Sequence, residues 1–203
     1  MPVVRSGSTP AAPCSALAGR AWLYAALARS KGRWNLIAQD VLMAQLRRNQ
    51  DGIDAFWTDD WNGYPANRAR LLQHIHNRKV PNPVVISGDI HSFFANDLKL
   101  DFDDQASPVV ATEFVGSSIS SYGPPYDPIA KVLPDNPHVH FFDSRRRGYV
   151  VVDLTADRDA GADARGFRRA RSQGCNLYLQ DIRSRGRSAG RYRGLGVLIN
   201  RRR

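Results

Sequence analysis

Val84-Val85-Ile86-Ser87-Gly88-Asp89-Ile90-His91-Ser92 is the stretch from which the rest of this chain can be read. Three β-branched residues run into a serine, a glycine and then two side chains able to ligate a metal. That is the pattern of a buried strand ending at a functional loop. Gly88 has no Cβ, so it is expected to turn the chain sharply and aim the next side chains into a cleft at the strand's carboxyl end, where open α/β folds keep their sites. Asp89 and His91 are two apart. In an extended segment both would share one face, letting a carboxylate oxygen and an imidazole nitrogen converge on one metal ion or on two adjacent ones. The same residues also read as a turn capped by Asp89 and followed by a loop histidine with no ligand.

Outward from this strand the chain reads as mixed α/β. Apolar, β-branched runs bounded by glycine and proline predict strands over residues 34–38, 83–87, 109–115, 138–142 and 148–154, the last two joined as a hairpin through the arginine-rich turn 143–148. Leu17, Ala21, Tyr24, Leu27 and Ala28 recur at helical spacing and predict an amphipathic helix over residues 17–30. Pro65 opens a second helix, over residues 65–78, with Leu71, Leu72 and Ile75 inward. Residues 41–46 either continue the first strand or form a helical turn. Between them, Phe56, Trp57, Asp59, Asp60, Trp61 and Tyr64 make an aromatic and acidic loop that either lines a substrate rim or pins itself as a satellite cluster.

The other potential ligands read differently. His74 and His76 are about 200° apart on a helix, too far apart to share a metal, and read as solvated. His138 and His140 would share one face of an edge strand, a spacing able to hold a metal but commoner as plain polar exposure. Asp101, Asp103 and Asp104 lack the glycine and glutamate of a calcium loop and read as a solvated turn. The serines at 117, 118, 120 and 121 do not fit a nucleophile elbow.

Composition bounds the remainder. A chain of 203 residues that is 42% hydrophobic can build a core. Of the net charge of +10, residues 156–203 supply nine, carrying 13 Arg against 4 Asp. The body is therefore near neutral, and the overall basicity gives no general signal for nucleic acid. No apolar run approaches the ~18 residues of a membrane span. Cys14 and Cys175 support neither a disulfide framework nor a zinc site. No signal peptide is seen, and the residues themselves assign no compartment. The expected organisation is a disordered leader over residues 1–15, an α/β body over 16–155, and an arginine-rich, unpatterned tail over 156–203 in which only residues 175–179 and 195–199 show any periodicity.

Taken together, these pieces resemble the PhoD-type alkaline phosphatases, a branch of the metallophosphoesterases. The matching segments are Trp34-Asn35-Leu36-Ile37-Ala38-Gln39 with 41–46, then Phe56-Trp57-Thr58-Asp59-Asp60-Trp61-Asn62-Gly63-Tyr64-Pro65-Ala66 with Arg68, Arg70 and Leu71. They continue with Ser87-Gly88-Asp89-Ile90-His91-Ser92, with residues 111–121, and with residues 136–149, all in the family's order. The resemblance implies part of a four-layer αββα sandwich that hydrolyses phosphodiesters and phosphomonoesters, with iron and calcium as its metal ions and Asp89 and His91 as the last pair of metal ligands. It also implies that the family's other ligands, a cysteine, aspartates, a tyrosine and an asparagine, precede the region where this chain starts. Cys14 lacks the family's surrounding pattern and is not given the cysteine's role. The ligand set expected here is therefore incomplete, and family members are typically exported. The abrupt change after about Ala160 is what a truncated gene with an out-of-frame tail would encode. The rival expectations are an inactive, partly folded remnant and nucleic-acid binding through the arginine tail.

Overall fold

Three of the predicted apolar strands lie side by side and parallel in the computed structural model, which describes residues 14–50, 53–154, 170–172, 175–181 and 194–196. The elements are α1 (Cys14–Arg29), β1 (Asn35–Ala38), β2 (Arg48–Gln50), β3 (Ile53–Ala55), α2 (Pro65–Asn77), β4 (Pro83–Ser87), β5 (Phe93–Lys99), β6 (Val109–Val115), α3 (Tyr126–Val132), β7 (Val139–Asp143), β8 (Gly148–Leu154), β9 (Ala170–Ser172), β10 (Cys175–Asp181) and β11 (Gly194–Gly196). A five-stranded sheet has the order β1-β4-β6-β5-β7, with β1, β4 and β6 parallel and β5 antiparallel to both its neighbours. β8 belongs to a second sheet, paired with β10.

Period-two alternation divides the first sheet into two faces. Val85, Phe94, Leu98, Ala111 and Val115 look toward Leu27 of α1, Leu71, Leu72 and Ile75 of α2, and Ile129 of α3. Val84, Phe93, Ala95 and Phe114 look the other way, toward Val150 and Val152 of β8. Helices, sheet and second sheet thus form successive layers, each burying the apolar face of the next.

On the helix face, residues 42–46 cross the sheet without any regular structure, and Leu42, Met43, Ala44 and Leu46 are buried. Burial of such side chains stabilises by about 1.5–3 kcal/mol each for the larger ones, but it also strands backbone N–H groups away from water. Glu113, fully buried on β6, answers this. One carboxylate oxygen accepts from Met43 N (2.7 Å) and Ser87 Oγ (2.8 Å), the other from Ala44 N (2.9 Å) and Asn96 Nδ2 (3.0 Å). Val85, Glu113 and Asn96 are direct neighbours across β4, β6 and β5, so one side chain ties three strands and the crossing segment together. Burial pushes the Glu113 carboxyl above its ordinary range, and its four hydrogen bonds offset only part of that rise.

A second buried polar group holds the outer side of the crossing segment. Arg68 of α2 donates to Met43 O, Asn62 Oδ1 and Gln45 Oε1 and lies 4.8 Å from the centre of the Phe102 ring. Burial lowers its pKa to about 10. The aromatic loop is pinned in the same way: Trp61 packs on the core and donates to Gln39 Oε1, and Asp60 is buried and caps Asn62 N, while Phe56, Trp57 and Tyr64 stay exposed.

Several expectations need correction. Residues 138–142 and 148–154 are not a hairpin: β7 pairs with β5 while β8 pairs with β10. The turn between them carries the chain from one sheet to the other, held by Asp143, whose buried carboxylate takes Arg145 Nε and Arg146 Nε. The helix stripe of α1 lies on Leu23, Tyr24 and Leu27, and Leu17 is exposed. His74 is not solvated: its ring stacks on Tyr24 and its Nε2 meets Tyr24 O at 2.9 Å. His138 is buried rather than exposed, because a register shift between Ala95 and Asn96 breaks the alternation and separates it from His140, which pairs with Asp97 at 2.9 Å. Residues 41–46 are neither strand nor helix. Within residues 156–203 the described elements are β9, β10 and β11, and β10 and β11 overlap the two periodic segments. The expected leader, apart from the start of α1, and the rest of the tail lie outside the described residues.

The Glu113 arrangement makes a sharp demand. Glu113→Gln replaces an oxygen that receives two donors by an amide that can only donate, so two buried donors lose their acceptor whichever way it points. Urea titration should show a loss of about 2 kcal/mol or more; a change under about 0.5 kcal/mol would remove Glu113 from this role.

Candidate functional site

The carboxyl ends of the parallel strands are laced together before the loop begins. Gln39 N donates to Ile86 O (3.1 Å), Gly88 N to Asp40 O (2.9 Å) and Gly116 N to Ser87 O (2.8 Å). Ser87 is also one of the four donors to Glu113, so the last residue of β4 is fixed from its backbone and its side chain. From there the chain must reach β5, which lies beyond β6 in the sheet. Residues 88–92 therefore arch over the end of β6, spanning two interstrand steps of about 4.8 Å.

The arch is not turned by Gly88, which takes no positive φ and where an added Cβ would meet only ordinary contacts, at 3.9 Å and beyond. The left-handed residues are Asp89 (φ 62) and His91 (φ 55), on either side of Ile90. Ile90 N closes a tight turn on Gly88 O at 2.7 Å, and its side chain packs against the main core. The segment is thus not extended, and the common-face argument for the pair fails. The two side chains are instead set by a left-handed turn, a conformation that costs a non-glycine residue about 1–2 kcal/mol. Strain of this kind collects at functional sites.

His91 is held in a definite state. Its Nδ1 lies 2.9 Å from Tyr122 O, a group that only accepts, so Nδ1 carries the hydrogen and, in the neutral ring, Nε2 is the nitrogen with the lone pair. Its own carbonyl accepts from Arg147 Nη1 (2.7 Å) and Ser117 Oγ (3.1 Å). Asp89 is exposed. Ser92 beside them is buried and donates to Ile90 O. The rim opposite is the loop after β6, with Ile119 and Tyr122 well exposed.

Elsewhere the candidate ligands disperse. His138 meets Gln45 O at 2.6 Å, and burial pushes its pKa down. His140 is taken by Asp97, His74 by Tyr24, and Asp103 by Arg47 and Gln45. Among the described residues no group of three or more His, Cys, Asp or Glu side chains is placed to hold a metal ion. Asp89 and His91 thus stand two residues apart on the arch, outside any such group.

Sequence reading missed Glu113, Arg147 and the Tyr122 carbonyl. Glu113 is the chain's single glutamate, set in an otherwise apolar strand, and that contrast was the available signal. Arg147 is the last of three consecutive arginines read together as a turn, and a backbone acceptor such as Tyr122 O leaves no mark in residue type.

The family model for PhoD-like phosphatase matches residues 16–162. Alkaline phosphatase D of Bacillus subtilis (strain 168) is 36% identical over 137 residues, covering 66% of this chain and 23% of that protein. A solved structure described as the structure of PhoD superposes with a TM-score of 0.59 at 36% identity, covering 64% of this chain and 25% of that one. The chain thus spans about a quarter of the length of the curated relative it matches.

The left-handed backbone at Asp89 gives a stability test. Glycine relieves the strain, and among the described residues the Asp89 carboxylate accepts no hydrogen bond that would be lost, so Asp89→Gly should leave stability unchanged or raise it by up to about 1 kcal/mol. Thermal or urea unfolding checks this, and a loss above about 1 kcal/mol would mean that the Asp89 side chain is part of the fold's support.

Proposed function

Because the chain belongs to the PhoD-like phosphatase family, we propose that it carries part of a metal-dependent phosphoester hydrolase site in which Asp89 and His91 are ligands. The observation that bears most of the weight is the state of His91. A histidine that binds a metal through one nitrogen usually donates the other N–H to a carbonyl or carboxylate, which fixes the tautomer. His91 does this toward Tyr122 O, leaving Nε2 free. A carboxylate oxygen and an imidazole nitrogen suit a hard or borderline cation. Calcium favours oxygen ligands and would lean on Asp89, whereas iron accepts both donors, in keeping with the pair implied by the resemblance. Such ions, when bound, neutralise phosphoryl oxygens and acidify a water molecule.

The chain's own residues have narrower tasks. Asp89 supplies a carboxylate at an exposed position on the arch, and His91 supplies a half-buried imidazole nitrogen two residues on. The Glu113 hub fixes Ser87, the arch begins at the next residue, and Ile90 anchors its middle, so both donors project from a rigid base. Two donors are fewer than a two-metal centre needs, so the proposal treats this pair as one portion of the ligand set. Phosphodiesters and phosphomonoesters are the proposed substrates.

The test places the matched segment of this chain in the corresponding position of the Bacillus subtilis relative. The chimera should hydrolyse an aryl phosphate or a phosphodiester in a metal-dependent way, and Asp89→Ala or His91→Ala should each lower kcat/KM by about a hundredfold or more. Unchanged activity in either variant would show that these are not the ligands.

A further inference from the structure

We infer that Arg147 is the positioning residue of this site: its guanidinium clasps the His91 peptide and the loop after β6 together, and so keeps Nε2 of His91 open. The use made of that open nitrogen rests on the reading of His91 as a ligand, but the clasp itself rests on geometry.

Arg147 is half-buried immediately before β8. Its Nη1 shares its two hydrogens among His91 O (2.7 Å), Ser117 Oγ (3.0 Å) and Ser118 Oγ (3.1 Å), and its Nη2 donates to Ser144 O. The serines relay these contacts, since a hydroxyl that accepts from Arg147 still has its own hydrogen to give. Ser117 Oγ lies within reach of both His91 O and Arg146 O, and Ser118 Oγ donates to Ser121 O. One cation therefore binds the metal-loop peptide, the serine loop and the turn between β7 and β8. The flat fork of arginine reaches His91 O and Ser144 O with different nitrogens, which a lysine ammonium could not do.

Gly123 completes the clasp. A Cβ there would stand 2.4 Å from His91 O and 3.2 Å from both terminal nitrogens of Arg147, so the glycine backbone lies directly against the guanidinium–carbonyl contact. Tyr122, the preceding residue, presents the carbonyl that takes His91 Nδ1. The circuit is closed: Arg147 holds the His91 carbonyl, Gly123 seats against that contact, and Tyr122 sets the imidazole tautomer. The two neighbouring arginines do other work. Arg145 pairs with Asp143 and lies over the Tyr126 ring at 3.8 Å, and Arg146 pairs with Asp143.

The experiment reads the two side-chain nitrogens of His91 by long-range ¹⁵N–¹H correlation in the full chain, at a pH where the imidazole is neutral. The wild type should show Nδ1 protonated and Nε2 bare. Arg147→Ala and Gly123→Ala should both shift His91 toward the ordinary solution mixture, in which Nε2–H predominates, while Arg145→Ala leaves it as in the wild type. The amide resonances of β4 and β6 report that the fold is kept, and if Arg147→Ala fails that check, Gly123→Ala decides alone. A folded Arg147→Ala or Gly123→Ala protein with the wild-type tautomer would overturn the inference, as would an equal shift in Arg145→Ala. Failure of the ligand reading is seen separately, as hydrolysis that survives His91→Ala in the chimera, and leaves this result untouched.

Discussion

Glu113 places a carboxylate where water does not reach, and the elements nearest to it are arranged to supply the hydrogen bonds that water would have given. Desolvating such a group costs several kcal/mol. The four hydrogen bonds offset part of that cost, and burial still leaves the carboxyl above its ordinary range. The arrangement also settles a geometric problem. Residues 42–46 lie across the sheet with no ladder of their own, and two of their amides find acceptors only because the carboxylate stands beneath them. The same group fixes Ser87, so the place where β4 stops and the arch begins is set by the core and not by the loop.

That rigidity is what allows the strained conformation above it. Two left-handed non-glycine residues in a five-residue arch cost roughly 2–4 kcal/mol together. The charge-assisted bond from Arg147 to the His91 carbonyl is worth about 1.5–3 kcal/mol, and the packing of Ile90 on the core adds to it. The result is an imidazole with one nitrogen committed to a carbonyl and the other available, next to an exposed carboxylate. Membership of the PhoD-like phosphatase family gives this pair a chemical context, and the structure gives it a physical support: a core carboxylate below and a guanidinium at the side.

What was legible in the sequence follows from what each residue contacts. β4 and β6 were readable because a strand inside the sheet is apolar along most of its length, and β1, although it is the edge strand, because Leu36-Ile37-Ala38 makes a short apolar run. β5 was not, because Asn96, Asp97 and Lys99 look like loop residues until their buried partners are known: Glu113 for Asn96, His140 for Asp97 and the Asp104 carbonyl for Lys99. The supposed hairpin failed for a related reason. Turn residues announce a reversal but not which sheet the chain enters next. Asp89 and His91 were singled out by residue type, yet the reasons offered, a flexible Gly88 and an extended segment, were both wrong. The left-handed turn depends on an arch over β6, a long-range feature with no local mark. The order of motifs along the chain carried the family, since order survives even where local geometry is misread.

An internal carboxylate, and not secondary structure, holds the segment under the site. Native-state amide hydrogen exchange at Met43 and Ala44 tests it most directly, because both lie in irregular chain that would ordinarily exchange quickly. Both amides should show protection comparable to that of the β4 and β6 amides, lost together with them in one cooperative opening. Exchange of these two amides as fast as that of exposed loop residues such as Asp89 would contradict it.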